Sequence, residues 1–244
     1  MRIKLIIEYD GTGYCGWQRQ KNHNSVQQTV EEALQTLTGK KTVLHAAGRT
    51  DAGVHALGQA AHFDTQAGIP PDKVAFALNA LLPPDIRIRK SGKVKEGFHA
   101  RFDAKKKRYR YVIQNSPHAS AVLRNGSMHV PVPLDIKKMR EAAAHLTGEH
   151  DFSAFTSAQL PLKNKVRTIY GIKIAKKGDI ITIDVTGNGF LFNMVRIIAG
   201  TLIYVGQGKL SVEDIPPILA SLDRRRAGVT AKPQGLFLAE VKYK

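Results

Sequence analysis

Gly48-Arg49-Thr50-Asp51-Ala52-Gly53-Val54-His55-Ala56 sets a carboxylate between two glycines, directly after an arginine and a threonine. Gly48 and Gly53 permit backbone angles closed to other residues, and Ala52 leaves room beside Asp51 for a substrate backbone. An Asp in such a loop has two ordinary uses. It caps a turn through local hydrogen bonds, or it presents an acid or nucleophile to a bound molecule. Arg49 and Thr50 favour the second use, because both can hold an anion and a guanidinium is a natural phosphate ligand. A second group is Arg101-Phe102-Asp103-Ala104-Lys105-Lys106-Lys107-Arg108-Tyr109-Arg110-Tyr111. In a strand its side chains alternate, so Tyr109 and Tyr111 share one face and Arg108 and Arg110 the other. That pattern offers stacking surface to bases and cations to phosphates. It also fits two core tyrosines beneath a solvated basic face. A third group, Phe190 to Leu202, is apolar almost all round and reads as a buried helix over 190–205 with Arg196 in its middle. A buried guanidinium requires an anion. Asp51 and a nucleic-acid phosphate are the candidates, unless Arg196 reaches water along the helix edge.

The elements that must position these groups alternate between strand and helix. Residues 2–9 read as a strand, and Ser25-x-x-Gln28 opens a helix that stops at Gly39. Val26, Val30, Ala33, Leu34 and Leu37 line one face of that helix. Short strands at 42–46 and 58–64 flank the acid loop, and Asp72 starts a helix to Leu81. The second half repeats the order. A strand at 107–114 precedes a helix capped by Asp135 and ending in Leu146-Thr147-Gly148, as the first ends in Leu37-Thr38-Gly39. A hairpin of 166–175 and 180–186 turns at Gly178-Asp179, helices follow at 190–205 and 212–222, and 235–243 is a last strand. The pattern is that of an α+β protein with a duplicated strand-helix-strand unit.

Composition narrows the chemistry. Among 244 residues, 37 Lys and Arg stand against 20 Asp and Glu, a formal charge of +17. A surplus of that size favours nucleic acid as partner. No apolar run is long enough to span a bilayer, and Met1–Glu8 lacks the features of a signal peptide, so a cytoplasmic location and no membrane partner are expected. Cys15 is the only cysteine, which excludes an intramolecular disulfide and a multi-cysteine zinc site. The nine histidines show no HExxH spacing, and neither a Walker A loop nor a GxSxG elbow occurs. Gly11-Thr12-Gly13-Tyr14-Cys15-Gly16 is a literal GxGxxG, but no helix opens within it to aim at a pyrophosphate. It reads instead as a loop whose aromatics pack locally or touch RNA. Arg224-Arg225-Arg226 and Arg19-Gln20-Lys21 read as solvated surface that adds to a phosphate track.

These motifs carry a family resemblance. Glu8-Tyr9-Asp10-Gly11-Thr12, Gly16-Trp17-Gln18, Ser25-Val26-Gln27, the Gly48–Ala56 loop, Phe98-His99-Ala100-Arg101-Phe102, Tyr109-Arg110-Tyr111, His150 to Phe155 and Met194-Val195-Arg196-x-Ile198-x-Gly200 resemble the tRNA pseudouridine synthase A family, the tRNA pseudouridine(38–40) synthases, nearly end to end. The resemblance implies an α+β fold of two ferredoxin-like halves, residues 1–104 and 105–244, joined through a continuous antiparallel sheet with helices on one face and a central RNA-binding cleft. It implies Asp51 as the catalytic aspartate and Tyr109 as the residue packed on the target base and a candidate for handling its C5 proton. Arg196 becomes the cation paired with the aspartate, and Arg49 an arginine that holds or displaces the flipped nucleotide. It further implies uridine isomerisation in the anticodon stem-loop of tRNA, a homodimer with tRNA bound across both subunits, and no metal or organic cofactor. A covalent adduct on Asp51 and a glycal route both fit. From the residues alone, a non-catalytic tRNA-binding or tRNA-folding protein remains the alternative. A metal-dependent nuclease would need more acids near Asp51.

Overall fold

Ile3, Leu5, Ile7 and Tyr9 fall at every second position, between Lys4, Ile6 and Glu8, and Arg2–Tyr9 forms strand β1 with that set buried. The computed structural model describes residues 1–157 and 164–244. Two units emerge, residues 1–105 with 237–244, and residues 106–236. In the first, β1 is followed by α1 (Val26–Thr38), β2 (His45–Ala46), β3 (His55–Asp64), α2 (Val74–Asn79) and β4 (Ile86–Val94). β3 and β4 flank β1, both antiparallel to it. The last strand, β10 (Leu236–Lys242), lies parallel to β3, with Phe237 opposite His55 and Leu238 opposite Ala56.

Ser25 caps α1 by accepting from the Gln28 N–H at 3.3 Å, and Gly39 closes the helix at φ 72. Only half of the capping box forms, because the Gln28 side chain donates to Glu32 instead of returning to Ser25. Val26, Val30, Ala33 and Leu34 are buried, and full burial of a Val or Leu contributes roughly 1.5–3 kcal/mol each. α2 is shorter than its pattern implies. It starts at Val74, and Lys73 in the cap position makes no side-chain cap bond. Tertiary bonds hold it instead, from the Ala75 N–H to Ser91 Oγ and between the Asn79 carboxamide and both backbone groups of Ile88. The expected strand at 42–46 shrinks to His45–Ala46, while that at 58–64 extends back to His55. β4 escaped the sequence reading because only Ile86 and Ile88 mark its buried face among four cations.

In the second unit β5 (Lys106–Asn115), β6 (Met128–Val130), α3 (Ile136–His145), β7 (Gly148–Asp151), β8 (Val166–Lys177), β9 (Ile180–Gly187), α4 (Met194–Gly206) and α5 (Ile215–Ser221) follow in order. The antiparallel order is β5-β9-β8-β7, with β6 parallel to β5. Asp135 caps α3 by accepting from the Lys138 N–H at 3.0 Å. Gly178 turns the β8–β9 hairpin at φ 57. The two Leu-Thr-Gly endings part company here. Gly39 is the left-handed cap of α1, whereas α3 stops at His145 and Gly148, at φ 110, opens β7. Each unit nevertheless runs leading strand, helix, then a strand antiparallel to the leader (β1-α1-β3 and β5-α3-β9), with another helix next. The fold is mixed α+β with mostly antiparallel strands. Among the described residues no helix is long and apolar enough to cross a membrane.

Candidate active site

The acid loop is fastened from behind. Thr50 is buried, and its hydroxyl meets the Tyr9 hydroxyl at 2.8 Å. Gln59 Nε2 donates to the Gly48 carbonyl at 2.7 Å. The Trp17 N–H donates to the Thr50 carbonyl at 3.0 Å, and the Gly53 N–H to the Tyr14 carbonyl at 3.3 Å. Burial raises the Tyr9 phenol above its ordinary range despite its bonds to Thr50 and Gln59, so it stays a neutral tether. Thr50 is therefore a structural anchor and not the anion ligand expected from its position in the sequence. Gly53 adopts φ 74, as a tight turn requires. Gly48 is not among the positive-φ residues, and its role is the carbonyl that Gln59 holds. Asp51 is half-buried at the crest of this turn, with the Val54 N–H donating to its backbone carbonyl at 3.1 Å, and Arg49 is exposed.

The Gly11–Gly16 segment supplies the backing. A Cβ on Gly11 would overlap the Val54 carbonyl, and one on Gly16, at φ 89, would lie 2.5 Å from the Thr50 carbonyl oxygen. The Gly11 N–H also donates to His55 Nδ1 at 3.0 Å. The GxGxxG spacing thus serves close backbone packing against the acid loop, and the next helix begins only at Val26. His55 stacks on Phe237 of β10 with ring centroids 4.6 Å apart.

In the second unit the tyrosines of β5 separate in role. Tyr111 is fully buried, and its hydroxyl donates to the Lys232 carbonyl at 2.6 Å. Tyr109 keeps 8% exposure and meets the edge of Phe190 at 5.2 Å and 86°. On the opposite face Arg108 and Arg110 both converge on Asp184 of β9, at 2.9 and 3.0 Å. These two guanidiniums are engaged within the sheet and are not the open phosphate ligands that the alternation implied. Arg19 is likewise engaged by Glu31, and Arg225 by Asp223.

Arg196 lies in the first turn of α4 and not mid-helix, because the helix opens at Met194 and residues 190–193 form the turn that enters it. Its Nε donates to the Ala231 carbonyl at 2.7 Å and Nη1 to Asn193 Oδ1 at 2.8 Å. Gly200 makes the first of these bonds accessible. A Cβ there would overlap the Val229 carbonyl, and only its absence lets residues 228–231 lie along α4. The Gly228 N–H to Thr201 Oγ1 bond and the Ala231 N–H to Arg196 carbonyl bond complete that seam. The sequence reading placed Asp51, Tyr109, Arg49 and Arg196 together as one group. The first unit carries Asp51 and Arg49, and the second carries Tyr109 and Arg196. Gln59, Asn193 and Phe190 were not singled out from sequence. Their positions beside the motifs were the available signal.

A carboxylate on a backed, small-residue turn, in a chain of this positive charge, fits a catalyst acting on a polyanion. The family described as tRNA pseudouridine synthase matches residues 5–103 and 142–244, and the chain belongs to it. It is 54% identical over 243 residues to a protein of Ruminiclostridium cellulolyticum called tRNA pseudouridine synthase A, covering 99% of each chain. Proteins of the same name from Acetivibrio thermocellus and Geotalea daltonii are 52% and 51% identical over 241 residues, again with 99% of each chain covered.

Proposed function

We propose that the chain isomerises uridine to pseudouridine at positions 38, 39 and 40 in the anticodon stem-loop of tRNAs, with Asp51 as the catalytic nucleophile. The observation that carries this reading is the likeness to proteins called tRNA pseudouridine synthase A over 99% of both chains. The target uridine is extruded from the stem, since its C1′ and C5 are out of reach while it is stacked. Tyr109 packs against the extruded base, and Arg49 holds or displaces the flipped nucleotide. Ionised Asp51, kept charged by Arg196, promotes cleavage of the N1–C1′ bond by an adduct or a glycal route. The base then rotates and bonds to C1′ through C5, losing the C5 proton and gaining one at N1. The change is redox-neutral and balanced by proton transfers, and the family resemblance implies no metal or organic cofactor. A cytoplasmic homodimer that binds tRNA across both subunits completes the reading.

The test is pseudouridine formation on an unmodified tRNA transcript by wild-type protein and by Asp51→Asn. Wild type forms pseudouridine, and loss of the nucleophile lowers the rate by about 10³-fold or more. Equal rates would remove Asp51 from the reaction. Absence of pseudouridine with wild type on every transcript carrying these uridines would remove the activity itself.

A further inference from the structure

Asn193 occupies the cap position of α4, at φ 59 and ψ 3. Asparagine is among the best helix caps, yet this side chain makes no capping bond. Its Oδ1 accepts from Arg196 Nη1 at 2.8 Å, and its Nδ2 donates to Ser157 Oγ at 2.7 Å. The backbone is left-handed, a region costly to most residues with a side chain. Arg196 itself stands in the first turn of the helix, where the partial positive charge of the N-terminus opposes a cation. Two local choices therefore run against helix stability at one place, a forgone cap and a cation at the wrong end, on a left-handed backbone that Asn tolerates better than most residues. Such features persist where the surroundings over-determine them, and they gather at functional sites. Here the surroundings are specific. The Phe192 carbonyl accepts from Thr156 Oγ1 at 3.0 Å and from the Ser157 N–H at 3.4 Å, so these bonds and the Asn193–Ser157 bond tie the turn before α4 to residues 156–157.

The geometry points to Asn193 as a positioning residue that acts through Arg196. Its carboxamide, braced by Ser157, and the Ala231 carbonyl hold two edges of the guanidinium and fix its plane before substrate arrives. This role rests on Arg196 being the cation that serves the catalytic carboxylate. Pre-orientation of such a group matters because a misplacement of about 1 Å can lower a rate on the order of 10²-fold.

The experiment compares wild type, Asn193→Gly and Asn193→Asp for kcat and KM on an unmodified tRNA transcript, with a thermal melt of each. Glycine keeps the left-handed backbone without strain, so the fold persists while both side-chain bonds are lost. The expected result for Asn193→Gly is a kcat lower by about tenfold or more, with KM and melting temperature close to wild type. Aspartate tolerates the same backbone and still accepts from Arg196, so Asn193→Asp recovers part of the kcat lost in Asn193→Gly, its added charge beside the cation that serves Asp51 keeping it below wild type. Wild-type kcat in Asn193→Gly, a loss confined to KM or melting temperature, or no recovery in Asn193→Asp would each overturn the role. If Asp51→Asn is inert while Asn193→Gly runs at full rate, only Asn193 is excluded. An active Asp51→Asn removes the underlying reading instead.

Discussion

Tyr109 and Tyr111 sit two residues apart on one strand face, Tyr109 against Phe190 and Tyr111 fully buried. The Tyr111 hydroxyl serves the Lys232 carbonyl inside the second unit. Tyr111→Phe leaves that carbonyl without its donor and is expected to cost about 1–3 kcal/mol of stability in denaturant melts, with kcat unchanged. Tyr109→Phe keeps the ring, its edge contact with Phe190 and the stacking face. It is expected to keep tRNA affinity while lowering kcat about 100-fold, the signature of a hydroxyl that moves the C5 proton. Affinity and single-turnover rates measured side by side check this, and an undiminished rate would leave Tyr109 as packing alone. Period-two alternation could put both tyrosines on one face, but it carries no information about which of them a distant carbonyl would claim. The same limit hid Asp184, which lies 74 residues beyond Arg110 and takes up two cations that looked open in the linear string.

Two glycine-dependent seams position the site at the level of elements. Gly11 and Gly16 let the first loop lie against the carbonyls of Val54 and Thr50, and Gly200 lets residues 228–231 lie along α4. Gly16→Ala places a Cβ against the Thr50 carbonyl in a left-handed turn. It is expected to lower kcat about 10–100-fold by shifting Asp51, with a destabilisation above about 1 kcal/mol. Gly200→Ala displaces the Ala231 carbonyl from Arg196 and is expected to lower both melting temperature and kcat. Parallel melts and rate assays separate these variants from Gly13→Ala, where a Cβ meets nothing within 4 Å. Helices and strands with a clear apolar period, such as β1, α1 and the β8–β9 hairpin, were legible from sequence. α4 was legible as a buried helix but not in its start, because Phe190 and Leu191 continue the apolar run through a turn that is not helical. The glycine motif was legible as a pattern only, since its use depends on carbonyls about 40 residues away.

Charge and titration act on the molecule as a whole. Several arginines are held by carboxylates (Arg2 by Asp64, Arg19 by Glu31, Arg89 by Glu8), while Lys21, Lys90 and Lys93 are exposed. Affinity for tRNA is expected to fall steeply with salt, and each lysine that meets a phosphate contributes a slope change of about 0.7–0.9 when replaced by alanine, read from a log–log titration. Acid should loosen the first unit. Burial, with His99, Arg2 and His45 nearby, pushes His62 down to about 4 from its ordinary 6.5. Between those values the unfolded chain binds a proton that the folded one refuses, so stability is intact near neutrality and declines as pH drops through the window. His62→Gln should flatten melting temperature against pH over that range.

The strand β10 sets an order on biosynthesis. The unit bearing Asp51 is discontinuous in the chain, and residues 1–105 lack β10, the neighbour of His55 and Ala56, until residues 237–242 are made. A nascent chain stalled before Phe237 would therefore leave the acid-bearing half open to protease. Docking of β10 beside β3 would act as the step that arms the catalyst.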